Sequence, residues 1–160
     1  MLEQIDHVNI VVAHLEPMVE FYRVVLGFTV TKRATISGAW VDATVGLHDA
    51  VGEVVYLELP AGPRVELICY VQPDGAHPAG LEISNTRGIR HIAFRVADID
   101  FMTAKLIAAG IDPLSAVQTV PDSQVTYAGG VRKRLVYFRD PEGNLLELCE
   151  YRAGAQTKPE

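Results

Sequence analysis

The sequence predicts an α+β protein in which two paired β-α-β-β-β modules lay a curved mixed sheet around a shared cleft. Three observations predict it. A strand, a helix and further strands recur in the same order in the two halves of the chain. A His recurs near the start of the first strand of each copy, at His7 and His91. A Glu flanked by apolar residues recurs on the last strand of each copy, at Glu66 and Glu147.

In the first copy, Ile5 to Val12 carries the β-branched alternation of a strand. Leu15, Met18, Val19, Tyr22 and Leu26 then fall at helical spacing, and Gly27 is placed to end that helix in a left-handed conformation. A short extended segment and a loop over Ser37–Ala50 follow. Strands over Glu53–Leu59 and Arg64–Tyr70 come next, turned by Pro60-Ala61-Gly62-Pro63. In the second copy, Ile89 to Val96 is the first strand, and Asp98 can cap a helix that carries Phe101, Met102, Leu106 and Ile107 and leads to Gly110. The closing strands are Arg134–Arg139 and Asn144–Tyr151, turned by Asp140-Pro141-Glu142-Gly143. The modules are therefore 1–70 and 88–152, with a Pro-, Gly- and His-containing linker over 71–87 and a frayed tail over 153–160.

Composition narrows the function. A formal charge of −6 and a pI near 5.3 argue against nucleic-acid binding, which would show as a basic surplus. No segment approaches the ~20 apolar residues needed to cross a bilayer, so no membrane partner is expected. The start, Met1-Leu2-Glu3-Gln4, lacks the basic residues and apolar stretch of a signal peptide. Cys69 and Cys149 sit in separate apolar strand runs and read as buried free thiols. Together these features imply a soluble protein in a reducing, cytoplasmic setting.

The repeated residues carry the chemistry. A carboxylate in an apolar strand is costly to bury unless it is paired or bound to a metal. Alternation puts Glu66, Ile68 and Tyr70 on one face, and Leu145, Glu147, Cys149 and Tyr151 on the corresponding face of the other copy, with Glu150 pointing away. If first and last strands are neighbours in each module, the pseudo-symmetry collects two imidazoles and two carboxylates. That set of His7, Glu66, His91 and Glu147 suits one divalent metal (Zn, Ni, Co, Mn or Fe) in a five- or six-coordinate site, which makes the cleft a metal cleft. A single strand His is more often structural, and a single strand Glu could pair with Arg64, Arg90 or Arg95; the duplication of both features favours the metal. His14, His48 and His77 fall in a helix entry, a loop and the linker, and read as surface residues.

These motifs resemble the vicinal oxygen chelate superfamily, the glyoxalase, bleomycin-resistance and extradiol dioxygenase group. The resemblance runs from Ile5-Asp6-His7-Val8 through Gly88-Ile89-Arg90-His91-Ile92-Ala93-Phe94 to Asp140-Pro141-Glu142-Gly143-Asn144-Leu145-Leu146-Glu147-Leu148. It implies paired β-α-β-β-β modules, a metal in the cleft and a homodimer. By position, His7, Glu66, His91 and Glu147 resemble the four-ligand pattern of glyoxalase I. The chain departs from that enzyme at Tyr70, near where an Asn serves glutathione, and at Leu145-Leu146, where a Trp precedes the final Glu.

The function expected is a divalent-metal-dependent, glyoxalase- or epimerase-like lyase or isomerase acting on a small molecule with vicinal oxygens. Proton transfer beside a carbonyl would pass through a metal-bound enediolate, with Glu147 and Glu66 as catalytic bases. Trp40 and Tyr70, with Arg132 and Arg134 of a loop over Tyr127–Arg134, are candidate substrate contacts, and Ser37–Ala50 is a candidate cover for the cleft. Trp40 could equally pack in a dimer, and the basic cluster could equally be a solvated strand end. The rivals are an Fe(II) extradiol-type dioxygenase using His7, His91 and Glu147, a metal-free ligand-sequestering protein, and a binding module with a structural metal.

Overall fold

In the computed structural model, which describes residues 1–153, the chain divides into two compact units, Met1–Ala79 and Gly80 onward. The division falls inside the segment expected to link the modules. In the first unit, β1 (His7–Val11) leads to α1 (Leu15–Glu20), which a π-type turn over Phe21–Val25 continues. Then come β2 (Thr29–Ser37), α2 (Ala39–Val45), β3 (Val51–Glu58) and β4 (Arg64–Gln72). In the second unit, β5 (His91–Arg95), α3 (Ile99–Ala108), the two-residue β6 (Gln118–Thr119), β7 (Val131–Arg139) and β8 (Leu145–Ala153) follow the same order.

Each unit is a four-stranded mixed sheet, ordered β1-β4-β3-β2 in the first and β5-β8-β7-β6 in the second. The first strand of each unit lies parallel to the last, and every other pairing is antiparallel. Parallel neighbours need a long crossover, and the whole helix-and-hairpin segment supplies it. The first and last strands are thus hydrogen-bonded neighbours, as convergence of His and Glu requires.

Alternation gives each sheet two unlike faces. One packs its helix. In the first unit Met18 and Tyr22 are fully buried with Leu57 and Leu67, and in the second Ile99 and Leu106 are fully buried with Val136 and Phe138. The face away from the helix carries His7 and Glu66, or His91 and Glu147.

Local signals act where the sequence placed them. Gly27 takes φ 82° after the first helix and Gly110 takes φ 79° after the third. Asp98 Oδ1 accepts the Phe101 amide at 2.9 Å and so caps α3. In the Asp140–Gly143 turn, Asp140 accepts the Glu142 and Asn144 amides and the Asn144 side chain. Burial raises the Asp140 pKa above the usual carboxylate value, and those donated hydrogen bonds act against the rise.

Some boundaries differ from expectation. Ser37–Ala50 is not a plain loop, because it contains α2. Gly46 ends that helix at φ 71°, and the Asp42 carboxylate accepts the Asp49 and Ala50 amides. Strand β7 begins at Val131, so the expected Tyr127–Arg134 loop is strand over its second half. Strand β8 reaches Ala153, the first residue of the expected tail, and 154–160 lie outside the described residues. Cys149 is buried, Cys69 is only half-buried, and both are free thiols. Among the described residues, no helix is long and apolar enough to cross a membrane.

Candidate functional site

Strand register brings one His and one Glu together in each unit. In the first, His7 pairs with Arg64 and Asn9 with Glu66, so the imidazole and the carboxylate rise from adjacent strands on one face. His7 Nε2 lies 3.4 Å from Glu66 Oε2. In the second, His91 pairs with Leu145 and Ala93 with Glu147, and His91 Nε2 lies 3.2 Å from Glu147 Oε2. Both carboxylates are buried, Glu66 at 8 % exposure and Glu147 at 2 %.

The shell around the first pair is polar and includes two cations, Arg64 and Lys32, which lie 5.0 and 6.0 Å from the centre of the Tyr56 ring. Asn9 Nδ2 donates to Glu66 Oε2 at 3.1 Å. Tyr56, cross-strand partner of Glu66, hydrogen-bonds that carboxylate, which together with burial holds its phenol above the ordinary value. On the far side of the imidazole, His7 Nδ1 meets Asp6 Oδ2 at 2.8 Å, and Asp6 also forms an ion pair with Arg64. A carboxylate on Nδ1 favours the tautomer that leaves the Nε2 lone pair free, the usual support behind a metal-ligating His.

The second pair has a different shell. Tyr137 is the cross-strand partner of Glu147, and its ring lies 5.0 Å from that of His91. Burial, then the charge of Glu147, raises the Tyr137 phenol. Lys133 Nζ lies 2.7 Å from Glu147 Oε1. The contact joins an ammonium to a carboxylate whose side chain is only 3% exposed, so the two charges are poorly screened by solvent. Burial works to lower the Lys133 pKa, but Glu147 outweighs it and leaves the ammonium above its ordinary value. Arg90 stands where Asp6 stands in the first unit, and His91 Nδ1 has no hydrogen bond among the described residues.

The donor set fits a divalent metal in its chemistry. Two ligands each about 2.1 Å from one ion lie roughly 3.0 Å apart at a right angle and roughly 3.4 Å apart at the tetrahedral angle. Both N···O separations fall in or at the edge of that range, and both exceed the usual ~2.9–3.0 Å of a direct N–H···O bond. Among the described residues, no group of three or more His, Cys, Asp or Glu could hold a metal ion; the donors come in twos.

The other expected contacts divide. Tyr70 is half-buried and shares the Glu66 face. Trp40 is 63 % exposed on α2. Arg132 is exposed and paired with Asp122 at 3.1 Å. Arg134 is committed elsewhere: its guanidinium binds Asp100 at 2.7 and 2.8 Å and Glu150 at 3.1 Å, on the face opposite Glu147. His14, His48 and His77 are exposed. Sequence reasoning missed Tyr56 and Tyr137, although each stands ten residues ahead of its Glu, a third duplication as regular as the other two. It placed Lys133 in the basic loop cluster rather than beside Glu147, and it missed Asn9 and Asp6; none of the three is duplicated.

Comparison with known proteins agrees with the fold. The family model for the Glyoxalase/Bleomycin resistance protein/Dioxygenase superfamily matches residues 4–148, and the chain belongs to that superfamily. It is 33% identical over 162 residues to a 2-epi-5-epi-valiolone epimerase of an Actinomyces species, a match spanning 94% of this chain and 81% of the relative. It is 24% identical over 152 residues to Glyoxylase I 4 of Arabidopsis thaliana, covering 92% and 71% of the two chains. Among solved structures, a glyoxalase family protein from Bacillus cereus superposes with a TM-score of 0.80 at 29% identity, covering 94% of this chain and 95% of that one.

Proposed function

We propose that this protein is a divalent-metal-dependent enzyme of the epimerase or glyoxalase type. It moves a proton at a carbon beside a carbonyl in a small substrate with vicinal oxygens. His7, Glu66, His91 and Glu147 are the metal ligands, and the two glutamates are the bases. The observation that carries the reading is the duplicated His Nε2···Glu Oε2 separation of 3.4 and 3.2 Å. The relative named as an epimerase supports the reaction class, since epimerisation needs a proton removed and returned at one carbon.

The ion would supply Lewis-acid polarisation of two adjacent substrate oxygens. The chain's own residues do the rest. Each carboxylate can take or return a proton through an oxygen held in place by its neighbours, Asn9 and Tyr56 for Glu66, Lys133 and Tyr137 for Glu147. The burial of both keeps bulk water from competing for that proton. Two carboxylates suit a reaction that needs one base to remove a proton and a second group to return it.

Elemental analysis and solvent exchange test the reading together. Wild type should carry about one divalent metal per chain and His91→Ala should lose it. Proton NMR in heavy water should show deuterium entering α-hydroxy ketones without any need for oxygen. Glu66→Gln and Glu147→Gln should each slow that exchange by about 100-fold or more. Protein that stays empty after metal is supplied, or exchange near wild type in both variants, would sink it.

A further inference from the structure

The two carboxylates are chemically alike and differently surrounded, and one lysine is in direct contact with Glu147. In the second sheet Tyr137 pairs with Glu147 and Lys133 with Tyr151. The same two steps in the first sheet pair Tyr56 with Glu66 and Gly52 with Tyr70. Gly52 is therefore the counterpart of Lys133. No lysine could replace it without movement, because a Cβ there would meet Ile36 at 3.3 Å and Ile68 at 3.4 Å. That register position in the first unit is thereby closed to a lysine.

Within the second pair the oxygens of Glu147 are divided: Oε2 faces His91 Nε2 and Oε1 faces Lys133 Nζ. A carboxylate so divided can offer a cation only Oε2. Lys133 is mostly buried, with a side chain 17% exposed, so its charge is poorly screened at the point where a second positive charge would sit. Among the described residues the first pair has no such direct contact between a cation and its carboxylate, because Arg64 meets Asp6 and Tyr56, and Lys32 meets Tyr56. Asp6 backs His7 with negative charge, and Asn9 and Tyr56 give Glu66 neutral hydrogen bonds.

We infer that Lys133 is a positioning residue that makes His91–Glu147 the looser half of the metal-binding set: it limits Glu147 to ligation through Oε2 and repels the bound cation. This rests on the metal reading of the site. The ammonium lowers the affinity of the second pair and leaves Glu147 the carboxylate more easily freed from the ion, while Glu66 stays anchored.

The test is cobalt(II) binding to the whole chain, measured by chelator competition and by the visible absorption of the loaded protein. Wild type, Lys133→Met and Lys133→Arg are compared, and circular dichroism confirms that each folds. Lys133→Met should bind cobalt about 10-fold more tightly and show a changed absorption band as Glu147 gains its second oxygen. The cobalt-induced rise in Tm should also be larger than in wild type, whereas Lys133→Arg should behave as wild type does. If wild type binds cobalt and Lys133→Met binds it equally or more weakly, the lysine has no such role and the metal site stands. If wild type binds no cobalt, the inference falls together with the metal reading.

Discussion

In the first module the His–Glu pair sits among Asp6, Asn9, Tyr56 and Arg64; in the second the corresponding pair sits beside Lys133 and Tyr137. The ligands, the tyrosines and the strand register are duplicated, and the charge around them is not. Backbone pairing fixes where a side chain at a given register position must lie, so two copies of one sheet keep the same His–Glu separation at no further cost. The charge beside each pair is set by single side chains and can diverge freely. The halves thus repeat a geometry and differ in electrostatics.

The sharpest way to break that comparison is to remove the charge of each carboxylate in the metal-free protein. Glu147→Gln leaves the Lys133 ammonium mostly buried without its counter-ion, and loss of one partner of such a pair typically costs about 3 kcal/mol. Glu66→Gln keeps an acceptor for Asn9 and Tyr56 and should cost about 1 kcal/mol. Urea unfolding measures both. Equal losses would mean that Lys133 is no more dependent on its partner than Asn9 is.

A second comparison concerns how each module ties the first turn of its helix to a strand. In the first, Arg33 of β2 holds Glu16 of α1, with both side chains exposed. In the second, Arg134 of β7 holds Asp100 of α3 and also Glu150, whose side chain is only 3% exposed. Arg134→Met strips Glu150 of one of two cations and should cost about 2 kcal/mol. Arg33→Met, at the surface, should cost roughly 0.5 kcal/mol or less. If the two variants unfold at the same urea concentration, Glu150 draws enough from Arg152 alone.

How much of this was legible depended on whether a feature obeys a period. The strand–helix order, the Asp98 cap, the Asp140–Gly143 turn and the face occupied by Glu147 rather than Glu150 all follow from spacing, and all are present. The lysine was hidden by a boundary. With β7 started at Arg134, the run Arg132-Lys133-Arg134 reads as a loop of equivalent cations. Once the strand starts at Val131, alternation sends Lys133 to the Glu147 face and Arg132 and Arg134 to the other. Helix α2 was hidden because it is seven residues long with only Val41 buried, too little for an amphipathic stripe. The short α2 is held instead by Gly46 and by Asp42, which are local effects.

The smallest expected difference lies at acid pH, where an ion pair in each module titrates. The Asp6 carboxyl is held below its usual 3.8 by hydrogen bonds from His7 and then Arg64, and the Asp100 carboxyl is held below the same value by Arg134. A carboxyl whose folded pKa is depressed gives stability that is present above 3.8 and is lost as pH falls through the folded value. Tm should therefore decline below about pH 4. Asp6→Asn and Asp100→Asn should each flatten that decline slightly while lowering Tm at neutral pH, since both groups are exposed and solvent screens much of the effect. Asp100→Asn should matter more, because among the described residues it also leaves Arg134 with Glu150 as its only remaining anion and so unsettles a network reaching the buried side of β8. Thermal melts of both variants between pH 2 and pH 7 decide it. A larger flattening with Asp6→Asn would place the stronger acid-sensitive pair in the first module and reverse the ranking.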